Sequence, residues 1–178
     1  MVLGIARWKS VYHGQLFVTN GGWDTHYDGL EWTQRRLSQG FFTGPRQIAF
    51  LTLSDALEID LSIREARCLI TSVESHQSVL VPFTHAGGTL TVFDIGGPDD
   101  GVSTDVAAGD CGLLIECWPI KPELDACRLT LIHGWFQEPR VLVAGDRLDP
   151  EYPLEFSTRP FAGEAQRVIS AADANDSP

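Results

Sequence analysis

The stretch that decides the fold runs from Ser78 to Gly101 and has the sequence SVLVPFTHAGGTLTVFDIGGPDDG. Apolar residues alternate with their neighbours in both halves, and a glycine turn at 86–88 separates the halves. Period-two alternation on either side of a glycine turn predicts a β-hairpin. Pro82 predicts an edge strand or a bulge, because proline donates no hydrogen bond to a neighbouring strand. The last part is rich in glycine and aspartate and predicts an acidic loop.

Similar short runs recur on both sides of this stretch. The run LEIDLSIRE at 57–65 alternates apolar and polar residues, and EWTQRRLSQ at 31–39 predicts a short helix ended by Gly40. Further candidate strands are at 14–19, 46–53, 113–118, 127–136, 140–145 and 152–157. Recurring strands with turn signals between them predict a mostly β fold, an antiparallel β-sandwich or open barrel with one short helix.

The length of 178 residues suits a single domain, which buries roughly 70% of the surface that the unfolded chain exposes. We predict one β-rich domain over 1–161 and a polar, disordered tail over 162–178. No window approaches about 18 consecutive apolar residues, and the N-terminal residues lack the apolar core of a signal peptide. The prediction is a cytoplasmic protein.

Four cysteines are present, and no two of them form a C-x-x-C pair. Cys68 and Cys117 lie within apolar runs, which predicts buried free thiols. A zinc site is not predicted, because Cys111 and Cys117 are six residues apart without a histidine pair at matching spacing.

Signatures of catalysis are missing from the sequence, which has no G-x-S-x-G, no P-loop, no dinucleotide fingerprint and no H-E-x-x-H. The five histidines are scattered, and each is predicted to be a surface or capping residue. A hydrolase that uses two carboxylates stays open as a third hypothesis, although no pair stands out. We therefore predict a protein without enzymatic activity or cofactor.

Charge is the most informative property of the composition. Asp and Glu outnumber Lys and Arg by 24 to 13, for a net charge of −11. This balance disfavours nucleic acid as a partner and favours a basic protein, a bound cation or colloidal stability. Eight carboxylates and one lysine lie between residues 94 and 125. A complementary basic surface would relieve their mutual repulsion and steer association, although an acidic surface without a partner is an equally good interpretation of the charge alone.

Two other features bear on the choice of function. The segment DIGGPDDG at 94–101 offers oxygen ligands of the kind calcium prefers, but the EF-hand spacing is missing. A calcium-dependent ligand- or carbohydrate-binding β module is therefore the alternative hypothesis. Trp23 and Tyr27 stand beside carboxylates, as aromatic anchors of protein interfaces often do, or else they cover an open end of the sandwich.

Several of these motifs together resemble the competence protein J family. The matching segments are EWT at 31–33 with the helix after it, GFF at 40–42, VLVPFTHAGGTLTV at 79–92 and AGDCGLLIECWPI at 108–120. The resemblance spans roughly Tyr12 to His133. The chain departs from the family pattern in the additional residues from Gly134 to Pro178 and in an expanded loop at 96–107.

Members of that family are small β-rich inhibitors of the DNA-entry nuclease in competent bacteria. The resemblance implies an inhibitor or immunity-type protein that neutralises a nuclease or a related toxin. Nucleases carry cationic clefts for phosphate, so an acidic face that imitates DNA can occlude one. We predict a basic protein partner, with no binding to nucleic acid or membrane. The predicted partner-binding residues are Asp94, Asp99, Asp100, Asp105, Asp110, Trp23 and Tyr27.

Overall fold

The computed structural model describes residues 1–8, 14–20, 32–44, 47–53, 58–94, 97–134 and 136–156. The strands are β1 (Val2–Trp8), β2 (Gln15–Asn20), β3 (Phe41–Thr43), β4 (Gln47–Leu51), β5 (Glu58–Ala66), β6 (Gln77–His85), β7 (Gly88–Asp94), β8 (Gly97–Val106), β9 (Gly109–Lys121), β10 (Leu124–His133) and β11 (Arg140–Val143). One helix, α1 (Gln34–Gln39), lies between β2 and β3. The predicted fold class is confirmed.

The strands form two sheets that pack face to face. Sheet A has the order β1-β5-β10-β9-β6-β11, and sheet B has the order β3-β4-β2-β7-β8. All described pairs are antiparallel except β5 with β10. The arrangement is a β-sandwich with one parallel pair.

Alternation along each strand determines which residues form the core. Ile59, Leu61 and Ile63 are at most 1% exposed and belong to one cluster with the inward side chains of both sheets. The polar residues between them in β5 lie on the outer face of sheet A. The predicted inner face of β5 is therefore confirmed.

The prediction of a hairpin at 78–94 is wrong, although the turn at 86–88 is confirmed. Strand β6 pairs with β9 in sheet A, whereas β7 pairs with β2 and β8 in sheet B. The chain therefore crosses from one sheet to the other, which we call the first arch (residues 84–89). Gly87 and Gly88 have φ angles of 89° and 96°, which allow the abrupt change of direction. The apolar side chains of β6 and β7 therefore face each other across the core, and the two strands are not paired by backbone hydrogen bonds as they would be in a hairpin.

A second arch (residues 105–110) connects β8 to β9 in the same way. The two arches lie side by side, as a distance of 3.4 Å between the position of a Cβ on Gly87 and the Cβ of Ala108 shows. The predicted acidic loop is wrong from Gly97 onward, because those residues form β8. Glycine and aspartate are poor strand formers, but pairing with β7 outweighs their local preference.

A crossover segment (residues 67–76) connects β5 to β6, two strands that are separated in sheet A by β10 and β9. The backbone N–H of Ser72 donates to Glu116 Oε1 at 2.6 Å, and that of His76 donates to the Cys117 carbonyl at 2.9 Å. Since Cys117 faces the core, Glu116 lies on the opposite side. The crossover segment therefore crosses the outer face of sheet A.

Several local predictions need correction. Cys68 is exposed because it follows the end of β5, whereas the other three cysteines are buried and free, as predicted. Residues 152–156 form no strand. The helix begins at Gln34 and not at Glu31, with Thr33 as its N-cap and Gly40 as its C-cap. Strands β1 and β3 were not predicted.

Among the described residues, Pro82 lies in a part of β6 that pairs with another strand on one side only. Strand β11 pairs only with residues 78–80, so in the described part of the chain no strand flanks Pro82 on that side. The predicted edge position is therefore confirmed locally, although β6 as a whole lies between two strands.

Candidate partner-binding surface

The two arches form one end of the sandwich and orient two of the predicted aspartates. Thr84 Oγ1 donates to Asp110 Oδ1 at 2.8 Å, and Thr89 Oγ1 donates to Asp105 Oδ1 at 3.1 Å. Each of these two hydrogen bonds therefore joins one residue of the first arch to one residue of the second arch. Because the threonines flank the turn at 86–88, the first arch fixes the aspartates of the second.

Asp105 and Asp110 are exposed, and they lie on the outer faces of sheet B and sheet A respectively. Within the described ranges, no arginine, lysine or histidine forms an ion pair with either carboxylate. A charge-assisted hydrogen bond to a hydroxyl restricts each side chain while leaving its second oxygen open to a partner. The end formed by the arches therefore presents two oriented and uncompensated anions.

The other predicted residues are not part of this surface. Asp94 is 9% exposed and lies at the far end of β7, so it offers no accessible carboxylate. Asp99 and Asp100 belong to β8, about 20 Å along the strand from Asp105, and their side chains lie outside the described residues. Trp23 and Tyr27 also lie outside them. The structure thus divides the predicted cluster between two ends of the sandwich.

Some of the acidity counted in the sequence is internal. Glu116 is 1% exposed and Asp125 is 4% exposed. Glu116 lies opposite Arg128 in the register of β9 and β10, with Glu116 Oε2 at 3.8 Å from Arg128 Nη1. The guanidinium carbon of Arg128 is 4.6 Å from the ring centre of Trp118. These two carboxylates contribute to the net charge but not to a binding surface.

His85 supports the first arch from the inside. Its side chain is 2% exposed, so the prediction of a surface residue is wrong, whereas the alternative of a capping residue agrees with the hydrogen bond that it accepts. Its Nδ1 accepts a hydrogen bond of 2.9 Å from the backbone N–H of Gly87, so the proton of the neutral ring is on Nε2. Burial lowers the pKa of His85 below its ordinary value. Protonation would remove the acceptor that closes the arch.

We expect the stability of the protein to fall as the pH drops below about 6.5, the pKa of an unfolded histidine. In that range the unfolded chain binds a proton that folded His85 resists, so acid favours unfolding. His85→Asn preserves an acceptor for the N–H two residues onward and does not titrate. Urea unfolding between about pH 5 and pH 8 should show a smaller decrease for His85→Asn than for the parent chain. An equal decrease in both proteins would contradict the role of His85.

Three of the cysteines are poor candidates for catalysis. Burial raises the pKa of Cys111 to about 12. The Sγ atoms of Cys117 and Cys127 are 3.5 Å apart in the core, and burial raises the pKa of Cys127 as well. A thiol that stays protonated at neutral pH is a weak nucleophile.

Among the residues that the structure describes, no group of three or more His, Cys, Asp or Glu side chains could hold a metal ion. None of the described helices has the length and apolarity needed to cross a membrane.

The fold and this surface define a two-sheet β-sandwich whose paired arches present two exposed carboxylates at one end. The sequence profile of the Competence protein J (ComJ) family matches residues 9–132. The chain therefore belongs to the ComJ family. No curated protein sequence matches it.

A solved structure at 16% sequence identity has the same fold. The crystal structure of ComJ from Bacillus subtilis, described as the inhibitor of the DNA degrading activity of NucA, has a TM-score of 0.59 and 16% sequence identity, and the match covers 75% of this chain and 99% of that chain. The structure described as Crocagin biosynthetic gene J has a TM-score of 0.46 and 13% identity, and the match covers 76% of this chain and 98% of that one.

Sequence reasoning missed the residues that support the surface. Thr84, Thr89 and His85 carry no motif, and their roles depend on how the two arches meet. The presence of a threonine on each side of the turn at 86–88 is the one signal in the sequence.

Proposed function

We propose that this protein inhibits a DNA-degrading nuclease by binding it, and that Asp105 and Asp110 at the arches form the centre of the contact. Membership of the ComJ family supports the inhibitor role, since the structurally similar Bacillus subtilis protein is an inhibitor of NucA. The observation that carries the assignment of the surface is the pair of threonine hydrogen bonds to exposed aspartates.

The physical basis is charge complementarity. A nuclease must attract the phosphates of DNA, so its active-site cleft is cationic. Two carboxylates held at a rigid end of a protein with a net charge of −11 reproduce part of that phosphate pattern. The long-range field increases the rate of encounter, and the oriented carboxylates make the specific contacts. In this proposal the partner is a basic protein, nucleic acid and membranes are not bound, and the chain has no catalytic role of its own.

The proposal is tested by depleting nuclease activity from a lysate of the source organism. The lysate is passed over the immobilised chain at low salt, and DNA cleavage is measured in the flow-through. We expect the activity to be retained and then recovered by elution with about 1 M salt, at which the Debye length is about 3 Å. A column of the Asp105→Lys and Asp110→Lys double variant should retain much less. Equal cleavage in the flow-through of loaded and empty columns would contradict the proposed function.

A further inference from the structure

The exposed apolar residues of this protein are concentrated on one side of it. Among the described residues, nine large apolar side chains are exposed, and five lie on the outer face of sheet A or on the crossover segment. Val73 is 102% exposed, Ile5 74%, Ile70 71%, Ile120 50% and Leu69 40%. Contiguous apolar surface of this kind marks an interaction site.

The open part of this face contains a groove of about 530 Å³. Ile5 of β1 and Trp118 of β9 are its walls, and the small side chains of Ser62 and Ala126 are its floor. The two walls are three strands apart, about 14 Å. We call this feature the Trp118 groove.

The crossover segment forms a ridge next to this groove. Ser72 is fixed over Glu116, which is two residues, or about 7 Å, from Trp118 along β9. Ile70 and Val73 flank Ser72 and are the two most exposed apolar residues of the segment. One face therefore has an apolar ridge beside a groove that is lined by Ile5 and Trp118 and also by the Arg7–Asp60 ion pair. A two-fold symmetric contact can place the ridge of each copy in the groove of the other.

The same face is electrically neutral, although the chain is strongly acidic. By strand alternation its outward side chains include four arginines and four carboxylates, so their formal charges cancel (4 − 4 = 0): Arg7, Arg64, Arg128, Arg140, Glu58, Asp60, Asp110 and Glu116. The described strands therefore give this face no net charge, and exposed carboxylates such as Asp105 lie on other surfaces. Two copies repel each other through those surfaces but not through this one.

We infer that the outer face of sheet A binds a second copy of this chain, with the ridge of each copy inserted in the Trp118 groove of the other. A cationic nuclease has little electrostatic attraction to a neutral face, whereas a second copy offers the complementary shape without a charge penalty. The four neighbouring strands β1, β5, β10 and β9 present an area of about 19 Å by 24 Å, without counting the relief of their side chains. With the ridge added, this approaches the roughly 800 Å² per partner of a standard interface.

Sedimentation velocity across a range of protein concentrations tests the inference. We expect a reversible monomer–dimer equilibrium for the full chain. Val73→Glu and Ile5→Lys should each raise the dimer dissociation constant at least about tenfold, since each places a charge in an apolar contact. The double variant should recover part of the loss, because the two new charges are opposite and meet across the interface. Both side chains are exposed in the monomer, so neither change should affect folding.

Leu37→Glu is the matched control, since Leu37 is 36% exposed on α1, away from sheet A. The inference is overturned by a chain that remains monomeric at every concentration, by Leu37→Glu weakening the dimer as much as Val73→Glu, or by a double variant weaker than both single ones. Nuclease inhibition is measured separately, and the Asp105→Lys variant should still form the dimer, because Asp105 lies on the outer face of sheet B. A chain that fails to dimerise can therefore still inhibit the nuclease, and a chain that fails to inhibit the nuclease can still dimerise.

Discussion

Replacing both Asp105 and Asp110 with lysine should weaken binding of the nuclease partner about 100-fold. Each substitution removes an anion that a threonine hydroxyl orients and introduces a cation facing a cationic cleft. A loss of about 1.4 kcal/mol at each position corresponds to tenfold per position. Most of the loss should appear in the association rate at low salt, because long-range attraction steers the encounter. Surface plasmon resonance at two ionic strengths measures both effects.

Asp146→Lys combined with Glu151→Lys is the control, because it changes the net charge equally at exposed positions outside the two arches. This variant should lose only the general electrostatic attraction, which amounts to a few-fold in the association rate. If both double variants weakened binding equally, the arches would have no special role. Unchanged circular dichroism and urea midpoints would exclude unfolding as the cause of either result.

Removal of the Glu116 side chain should have the largest effect on stability, about 3 kcal/mol for Glu116→Ala. The carboxylate is buried between Arg128 and the backbone N–H of Ser72, so its loss leaves a cation and an amide without their partner. The crossover segment also loses the hydrogen bond that holds Ser72 to sheet A. Equilibrium urea unfolding gives the free energy directly.

Glu74→Ala lies in the same crossover segment but is exposed, and it should change the free energy of unfolding by less than about 0.5 kcal/mol. Replacing both members of the ion pair, Glu116→Leu with Arg128→Met, should recover much of the loss because neither charge is left buried alone. A Glu116→Ala variant as stable as the parent chain would show that the ion pair does not anchor the segment.

Local patterns in the sequence were enough to predict the fold class. Alternation in β5 identified Ile59, Leu61 and Ile63 as core residues because one face of that strand is buried and the other is not. The cap residue Gly40 ended the helix as predicted, since its φ angle of 80° is costly for other residues. Such signals depend on a few neighbouring residues, and tertiary contacts did not override them here.

Features that depend on contacts between distant residues were not predictable in this way. A glycine turn between two alternating segments fits a hairpin and an arch equally well, and the choice depends on whether β6 finds a better partner in β9. For the same reason Asp94 was predicted to lie on a surface, although it lies at a buried end of β7. Glu116 was counted as surface charge because its partner Arg128 is on a different strand.

Charge counting in sequence therefore overestimated the accessible acidity between residues 94 and 125. Asp94, Glu116 and Asp125 are all buried, so three of those eight carboxylates are unavailable to a partner. Asp105 and Asp110 are exposed, but no sequence pattern separated them from Asp99 and Asp100. That separation follows from the length of β8, which places Asp99 and Asp100 near its start and Asp105 near its end, while Asp110 lies at the start of β9.

Hydrogen exchange of the chain, alone and in complex with the nuclease, is the most direct test of where the partner binds. Backbone amides of the two arches, residues 84–89 and 105–110, should exchange more slowly in the complex, while those of the crossover segment should be unaffected by the nuclease. Protection confined to the outer face of sheet A, with unchanged exchange at both arches, would contradict the assignment of the partner-binding surface to Asp105 and Asp110.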